Sequence, residues 1–205
     1  MKIICVGMNY AAHNKELRNS LILENPTIFM KSDVSLLKDG KPFYIPDFSS
    51  EIQYETEMVV RINRLGKNIA KRFAHRYYDE MTVGIDVTAR DLQREFRTKG
   101  LPWELSKSFD NSAIIGNFVN LKDIGREIND LRFHLEINEK TVQSGQTKDM
   151  LFSVDEIIEY VSRFMTLKIG DLIFTGTPAG VGNLSVNDHL QGYIENKKLL
   201  DFCVK

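Results

Sequence analysis

The alternation of apolar and polar residues along the chain predicts many short strands and few helices. The segments "KIICVG", "PTIFMK" and "MTVGIDV" have the composition of buried strands, and the longest strand candidate runs from Ile52 to Ile62. Further strand signals follow in the second half, in "AIIGNFV", "LRFHLEIN", "DLIFTG", "GYIEN" and "LLDFCV". Because strands and helices do not alternate regularly, we expect an α+β fold, a mixed and curled β-sheet that forms a roll or sandwich with a few short peripheral helices.

The expected helices are few and have local signals. Residues 68–80 are polar with interspersed apolar positions and fit a surface helix. The segment Thr88–Asp91 has the form of a capping box, which opens a helix that Gly100 ends. A further helix is predicted to begin at Ser153, a good N-cap residue, because apolar residues recur at helical spacing from Val154 to Phe164.

Length and charge restrict the class of protein. The chain has 205 residues, which one β-rich domain can hold, so we expect a single domain over residues 1–205. With 27 basic and 28 acidic residues it has no electrostatic signature of nucleic-acid or membrane binding, and no apolar run approaches the ~18 residues of a membrane span. We expect a cytoplasmic protein in which Cys5 and Cys203 are reduced, structural thiols.

Three carboxylates lie in segments that otherwise resemble buried strands. Glu55 and Glu57 are two residues apart, so on a strand they project from the same face, and Asp86 follows the apolar run of the next strand. Buried like charges are relieved by protonation, by Arg or Lys, or by a divalent metal. Without a His or Cys cluster nearby, Mg²⁺, Mn²⁺ or Ca²⁺ suits this set better than zinc. A pair of glutamates on an exposed strand face is the alternative.

His13 and Glu16 are a candidate catalytic base. The residues are three positions apart, so on a helical turn their side chains share a face and form a hydrogen bond. A carboxylate partner fixes the tautomer of a histidine and raises its basicity, which suits a base that activates water near neutral pH. The alternative is a histidine on the protein surface.

Other candidate site residues have weaker signals. Lys107 follows an apolar turn and fits a surface lysine equally well, whereas Arg90 and Gln93 are three residues apart on the helix opened near Thr88. Arg90 also fits a structural ion-pair partner of Asp86 or Asp91. The glycine-rich "TGTPAGVG" lacks the Lys-Ser/Thr ending of a phosphate loop, but its glycines allow close approach of a ligand, to which Thr177 offers a hydroxyl and an N–H.

Four motifs, in this order and spacing, strongly resemble the fumarylacetoacetate hydrolase superfamily. They are "VGMNYAAHNKEL", "YETEMVV", "GIDVTARDLQREFRTKGLPWELSKSFD" and "LIFTGTPAGVG". The likeness extends from Lys2 to about Gly182 and is greatest to the small, single-domain acylpyruvase and oxaloacetate decarboxylase branch. The resemblance implies the fold of the catalytic C-terminal domain of that family, with one Mg²⁺ or Mn²⁺ bound by the three carboxylates.

The same resemblance implies roles for the remaining candidates. His13 and Glu16 would belong to a mobile lid, about residues 8–20, and would activate the attacking water after closure. Lys107 would hold the substrate carboxylate or the developing enolate oxygen. Gln93 and Thr177 would bind the ligand, with Arg90 as a further candidate. Two departures from the family pattern border the expected pocket, namely Met8 in place of a basic or polar residue and "FDNSAIIG" without a Cys-Pro pair.

The expected function is that of a metal-dependent hydrolase or lyase of small 2-oxo acids that contain a 1,3-dicarbonyl. It would cleave acylpyruvates to pyruvate and a carboxylate, decarboxylate oxaloacetate, or do both. One alternative is an isomerase, tautomerase, decarboxylase or hydratase of 2-oxo acids in the catabolism of aromatic compounds. Another is a non-catalytic protein that binds oxo acids. Relatives of this size imply a homodimer.

Overall fold

The computed structural model describes residues 1–16 and 23–205, and in these ranges it contains fifteen strands and six α-helices. The strands are β1 (Ile3–Gly7), β2 (Thr27–Lys31), β3 (Leu36–Leu37), β4 (Ile52–Tyr54), β5 (Thr56–Ile62), β6 (Tyr78–Asp86), β7 (Thr88–Ala89), β8 (Ala113–Ile115), β9 (Val119–Asn120), β10 (Arg132–Ile137), β11 (Lys140–Gln146), β12 (Leu172–Phe174), β13 (Gly182–Asn183), β14 (His189–Ile194) and β15 (Lys197–Cys203). The helices are α1 (Ala11–Glu16), α2 (Lys71–Ala74), α3 (Arg90–Lys99), α4 (Glu104–Lys107), α5 (Leu121–Ile124) and α6 (Val154–Phe164).

The strands form three sheets. The largest has eight strands in the order β2-β1-β12-β5-β6-β8-β3, with β9 beside β6, and it is mixed because β1–β12 and β3–β8 are parallel pairs. Strands β11-β10-β14-β15 form an antiparallel sheet, and β13-β4-β7 form a small third sheet. This mixed architecture with short helices confirms the predicted α+β class.

The four-stranded sheet packs on the middle of the large sheet, where β14 and β15 contact β6. Gly192 lies at this approach, because a Cβ atom there would be 2.7 Å from Cγ1 of Val83. The main hydrophobic core fills the space between these layers, and a second, smaller cluster around Ile3, Cys5 and Phe174 covers the opposite face of the large sheet. Strands β5 and β6 are therefore buried on both faces.

The predicted strand from Ile52 to Ile62 is interrupted at Glu55. Strand β4 pairs with β7 in the small sheet, whereas β5 pairs with β6 in the large one. The segment that forms β6 likewise passes from the large sheet to the small sheet after Asp86, because β7 begins at Thr88. The longest strand is β6, with nine residues, and not the predicted segment. Both segments of the chain thus pass between the large sheet and the small sheet side by side. These two neighbouring transitions bring the acidic residues together.

The helix predictions have mixed outcomes. Only Lys71–Ala74 of residues 68–80 is helical, and β6 begins at Tyr78, because Tyr78 is buried in the core and pairs with Ile62 of β5. The predicted helix after Ser153 is confirmed, with a complete capping box between Ser153 and Glu156. Gly100 ends α3 in the left-handed conformation, at φ 65°, as expected.

The capping box predicted at Thr88–Asp91 is wrong. Helix α3 begins at Arg90, so its N-cap is Ala89, which has no side-chain oxygen. The Asp91 carboxylate accepts hydrogen bonds from Ser49 and Ser50 and fastens the preceding loop to the helix. The Thr88 hydroxyl donates to the carbonyl of Asp86, so Thr88 contributes to the candidate site and not to the helix end.

Within the described ranges, no helix has the length and apolar composition to cross a membrane. Cys5 is buried and Cys203 is exposed, and both are free thiols. Burial raises the pKa of Cys5 well above its ordinary value, so this thiol is not a nucleophile near neutral pH. That both are reduced, structural thiols stays a prediction.

Candidate metal centre and active site

Three carboxylates converge where the two segments of the chain pass between sheets, namely those of Glu55, Glu57 and Asp86. One carboxylate oxygen from each lies within 4.8 Å of the others, and all three side chains are buried. Glu57 belongs to β5 and Asp86 ends β6, whereas Glu55 lies in the break between β4 and β5. The backbone N–H of Asp86 donates to the carbonyl of Glu55 at 2.9 Å, which ties the two transitions together. The three carboxylates therefore converge as their positions in the sequence predict, although the strand is not continuous.

Lys107 lies directly beside two of these carboxylates. Its ammonium is 2.8 Å from Oε2 of Glu55, 2.8 Å from Oδ2 of Asp86 and 2.6 Å from the Thr88 hydroxyl. The residue is the last of α4 and is only 2% exposed, so the surface-lysine alternative is wrong. A buried ammonium with three polar partners is a fixed positive charge at the floor of the site.

Lys31 is a second buried lysine, and no motif or spacing along the chain marks it as a site residue. Its ammonium donates to the carbonyls of Val87, Lys107 and Ser112, which uses all three of its protons. Oδ1 of Asp86 lies 2.7 Å from the same nitrogen and forms an ion pair without a hydrogen bond. Lys31 therefore balances the charge of Asp86 and holds the backbone on either side of it, while Oδ1 retains its lone pairs.

Local charges separate the pKa values of the two glutamates. Burial raises the pKa of Glu55, but the charges of Lys107 and Arg90 outweigh it and hold the pKa below its ordinary value. For Glu57, burial together with the charges of Asp86 and Glu55 raises the pKa well above its ordinary value. Burial lowers the pKa of Lys107, yet Asp86 and Glu55 outweigh burial and raise it. Glu55 is thus an anion beside charged Lys107, while Glu57 favours a proton or a metal cation.

Arg90 has a different partner from those expected. Its guanidinium forms an ion pair with Oε1 of Glu55, and neither Asp86 nor Asp91 is its partner. Its Nε donates to Oε1 of Gln53 at 2.7 Å and its Nη1 to Oε1 of Gln93. Arg90 therefore orients Glu55 and fixes the amide of Gln93. The amide nitrogen of Gln93 has no acceptor among the described residues, so it can donate to a ligand.

His13 and Glu16 form the expected pair on α1. Nδ1 of His13 is 3.0 Å from Oε2 of Glu16, and His13 is buried whereas Glu16 is partly exposed. The Glu16 carboxylate also accepts from the N–H of Gly180, at 3.2 and 3.3 Å, which connects α1 to the glycine-rich loop after β12. The positive charge of a protonated His13 lowers the pKa of Glu55, which agrees with its position in the same pocket.

The predicted lid, residues 8–20, is packed into the fold over its described part. Asn9 is buried and donates to the carbonyls of Phe152 and Thr175, and Tyr10 contributes to the main core. Tyr10 therefore anchors the described part of this segment to the hydrophobic core. Residues 17–20 of the predicted lid lie outside the described residues, and its mobility stays a prediction.

Thr177 lies in the glycine-rich loop between β12 and β13. Its hydroxyl donates to the carbonyl of Thr56 at 2.9 Å and accepts from Nε2 of Gln143 at 2.7 Å. Oε1 of Gln143 in turn accepts from the N–H of Thr56. The hydroxyl is therefore used by the fold, and the N–H of Thr177, which has no acceptor in the described parts of the chain, is the group left for a ligand. Gln143 is a buried positioning residue without a sequence signal, because it lies in a strand of alternating polarity.

One pocket connects these groups. It is lined by all the predicted site residues except Glu16, which contacts it through His13. The pocket lining also includes Val6, Gly7, Met8, Phe29, Arg97 and Trp103.

The acidic cluster fits a hard divalent cation. Three buried carboxylates converge, Oδ1 of Asp86 lacks a hydrogen bond, and Glu57 has a raised pKa that a bound cation would reverse by displacing the proton. An oxygen-only donor set favours Mg²⁺, Mn²⁺ or Ca²⁺ over zinc. A cation site beside a His–Glu pair in one pocket is the arrangement of a metal-dependent enzyme.

Comparison with known proteins gives a consistent result. The family model for the fumarylacetoacetate hydrolase C-terminal domain matches residues 2–203. The mitochondrial oxaloacetate tautomerase of Mus musculus is 39% identical over 203 residues, which cover 99% of this chain and 91% of the relative.

Two solved structures are similar throughout. Fumarylpyruvate hydrolase from Pseudomonas aeruginosa, in complex with Mn²⁺ and pyruvate, superposes with a TM-score of 0.93 at 33% identity and covers 100% of this chain and 89% of its own. The 5-carboxymethyl-2-hydroxymuconate delta-isomerase from Mycobacterium smegmatis superposes with a TM-score of 0.86 at 30% identity and covers 99% of this chain and 78% of its own.

The chain belongs to the fumarylacetoacetate hydrolase family. It is an enzyme, so the alternative of a non-catalytic binding protein is rejected, and its three convergent carboxylates fit a divalent metal, as in a family that includes a Mn²⁺-bound structure. The predicted family and enzyme class are confirmed.

Proposed function

We propose that residues 1–205 form a single catalytic domain that uses Mg²⁺ or Mn²⁺ to act on small 2-oxo acids. The reactions are cleavage of acylpyruvates to pyruvate and a carboxylate, and decarboxylation of oxaloacetate. The observation that carries this proposal is the position of a buried ammonium, Lys107, and a His–Glu pair beside three convergent carboxylates in one pocket. The named relatives, a fumarylpyruvate hydrolase and an oxaloacetate tautomerase, support the substrate class.

The chain supplies charge and donors around the reacting atoms. A cation held by Glu55, Glu57 and Asp86 would supply Lewis-acid stabilisation of negative charge on the 2-oxo acid. Lys107 adds a fixed positive charge, and we infer that it holds the substrate carboxylate or the enolate oxygen. The amide of Gln93 and the N–H of Thr177 are unused donors that orient the same anion. Arg90 contributes indirectly, because it positions Glu55 and Gln93.

Hydrolysis also requires a base. If Nδ1 of His13 donates its proton to Glu16, the lone pair of Nε2 is free to accept a proton from water. The bond from Gly180 to Glu16 keeps α1 in place while the base acts. We infer that the predicted lid opens and closes over the pocket, and that residues 8–16, its described part, are in the closed conformation.

The direct test is a substrate panel of acetylpyruvate, fumarylpyruvate and oxaloacetate, assayed with Mg²⁺ and with Mn²⁺ against protein-free blanks. We expect metal-dependent turnover of at least one substrate well above the blank. The proposal is wrong if all three are stable in the presence of the metal-loaded protein.

A substitution of His13 should affect hydrolysis and decarboxylation to different extents. His13→Ala should lower acylpyruvate cleavage by at least the ~10²-fold typical of a lost general base, because only hydrolysis needs an activated water. Oxaloacetate decarboxylation should fall much less. Steady-state kinetics on both substrates measure the difference, with His75→Ala, an exposed histidine outside the pocket, as the matched control. Equal losses in both reactions would show that His13 serves lid closure or binding.

A second candidate reaction is keto–enol tautomerisation of a 2-oxo acid. The 39% identical relative is named an oxaloacetate tautomerase, and a proton transfer of this kind needs a base and an electron sink but no attacking water. His13 and Lys107 supply groups of both kinds. Exchange of the C3 protons of oxaloacetate with deuterated solvent, followed by NMR, distinguishes this reaction from decarboxylation.

We also propose that the protein is a homodimer and acts in the cytoplasm. The β-rich fold has edge strands that need covering, and two large apolar residues near the Gly66–Leu167 pair, Leu65 and Ile169, are 63% and 73% exposed. The mass of one chain is 23.6 kDa, and light scattering at micromolar concentration should give twice this mass. A mass of one chain would contradict the dimer.

A further inference from the structure

Helix α3 presents a row of polar side chains along the pocket. Arg90, Gln93 and Arg97 are spaced three and four residues apart, so they share one face of the helix, and all three line the pocket. At a rise of ~1.5 Å per residue, Arg97 lies about 6 Å beyond Gln93 along the helix axis. Arg90 and Gln93 are buried, whereas Arg97 is exposed, so the row runs from the carboxylates to the pocket mouth.

Among the described residues Arg97 has no ion-pair partner, unlike its basic neighbours on the same helix. Arg94 forms an ion pair with Glu51, and Lys99 forms one with Glu95. In the pocket, Arg90 and Lys107 are likewise paired with site carboxylates. Arg97 has no ion pair or side-chain hydrogen bond with any described residue, although a guanidinium offers five donors.

The pocket that contains the carboxylates and Arg97 also has an apolar part to its lining. Phe29 and Trp103 pack with their ring centroids 6.1 Å apart, and Met8 lines the same pocket. This part of the lining offers apolar contacts to the carbon chain of a substrate. It suits a short carbon chain whose polar groups are at its two ends.

The formal charges of the pocket residues indicate which charge the far end of the substrate should carry. The carboxylates Glu55, Glu57 and Asp86 are matched in number by the cations Lys31, Lys107 and Arg90. The two positive charges of a divalent cation and the negative charge of Glu16 then leave a net charge of about +1. The carboxylate of a 2-oxo acid neutralises this remaining charge. Arg97 adds one further positive charge at the mouth, and a second carboxylate on the substrate would neutralise it.

We propose that Arg97 binds a terminal carboxylate of the substrate, so that the enzyme favours 2-oxo dicarboxylic acids over 2-oxo monocarboxylic acids. This inference rests on the proposed action on 2-oxo acids. Arg97 is then a specificity-determining residue, because it contacts the end of the substrate that does not react. The guanidinium suits this role, since it binds a carboxylate through two parallel hydrogen bonds.

The test uses two unreactive ligands that differ only at the far end. 2-Oxoglutarate carries a terminal carboxylate, 2-oxopentanoate carries a methyl group there, and neither has the 1,3-dicarbonyl that cleavage requires. Calorimetric titration of the Mn²⁺-loaded protein should give tighter binding of 2-oxoglutarate, by about two- to fivefold for a charged contact at an exposed site. The preference should shrink as ionic strength rises.

Variants of α3 make the assignment specific. Arg97→Gln should remove the preference by weakening 2-oxoglutarate alone, Arg97→Lys should retain part of it, and Arg94→Gln, with its exposed arginine paired to Glu51, should keep all of it. Equal affinities in the parent, or an unchanged preference in Arg97→Gln, would overturn the inference. Failure of both ligands to bind would overturn it as well. Turnover of acetylpyruvate by the parent is measured separately, so a wrong specificity residue is distinguished from a wrong reaction.

Discussion

The Glu57→Gln variant should lose metal binding and turnover while it keeps its fold. Glutamine has the same shape and retains an oxygen that accepts from the N–H of Gly176, as Oε2 of Glu57 does at 2.7 Å. It lacks the charge that a cation needs. Mn²⁺ affinity should fall by more than the ~10- to 100-fold that loss of an outer-shell partner costs, because Glu57 is in the ligand set itself.

The same variant gives a prediction about stability. Burial and the neighbouring charges of Asp86 and Glu55 raise the pKa of Glu57, so an ionised Glu57 disfavours the metal-free fold. Metal-free Glu57→Gln should therefore be at least as stable as the metal-free parent. Calorimetry with Mn²⁺ and denaturant unfolding measure the two effects, with Glu51→Gln as the matched control outside the cluster. Unchanged Mn²⁺ affinity would remove Glu57 from the ligand set.

Lys31→Met should be among the most destabilising single substitutions in this chain. Methionine fills a similar volume but leaves Asp86 without its ion-pair partner and removes the donor to the carbonyls of Val87, Lys107 and Ser112. Removing one partner of a buried ion pair costs about 3–5 kcal/mol of the free energy of unfolding.

Urea unfolding of the metal-free protein measures this loss, which should appear as a lower midpoint with an unchanged m-value. Lys38→Met, at an exposed lysine just after β3, is the control and should change the free energy of unfolding by less than about 0.5 kcal/mol. A loss below about 1 kcal/mol in Lys31→Met would show that Asp86 does not depend on Lys31.

The part of the site that could be predicted from sequence is the part with a local pattern. Glu55, Glu57 and Asp86 interrupt apolar strands, and isolated charges in such strands require compensation. His13 and Glu16 are three residues apart, so their contact follows from helical geometry. The helix at Ser153 was predictable for the same reason, because its capping box is complete within four residues.

The part that could not be predicted depends on contacts distant in sequence. The ammonium of Lys31 contacts groups at positions 86 to 112, and Gln143 connects Thr56 with Thr177. Neither residue differs in type or spacing from an exposed strand residue. The prediction of a helix over residues 68–80 was wrong for the same reason, because the pairing of β6 with β5 outweighs a weak local helical preference.

The central claim is that one divalent cation in the carboxylate cluster is required for turnover of a 2-oxo acid. Chelator-treated protein should be inactive towards the best substrate of the panel, and stepwise addition of Mn²⁺ should restore activity in proportion until one ion is bound per chain. Glu57→Gln should gain no activity over the same range. Full turnover by the chelator-treated parent, with metal content verified by elemental analysis, would contradict the account.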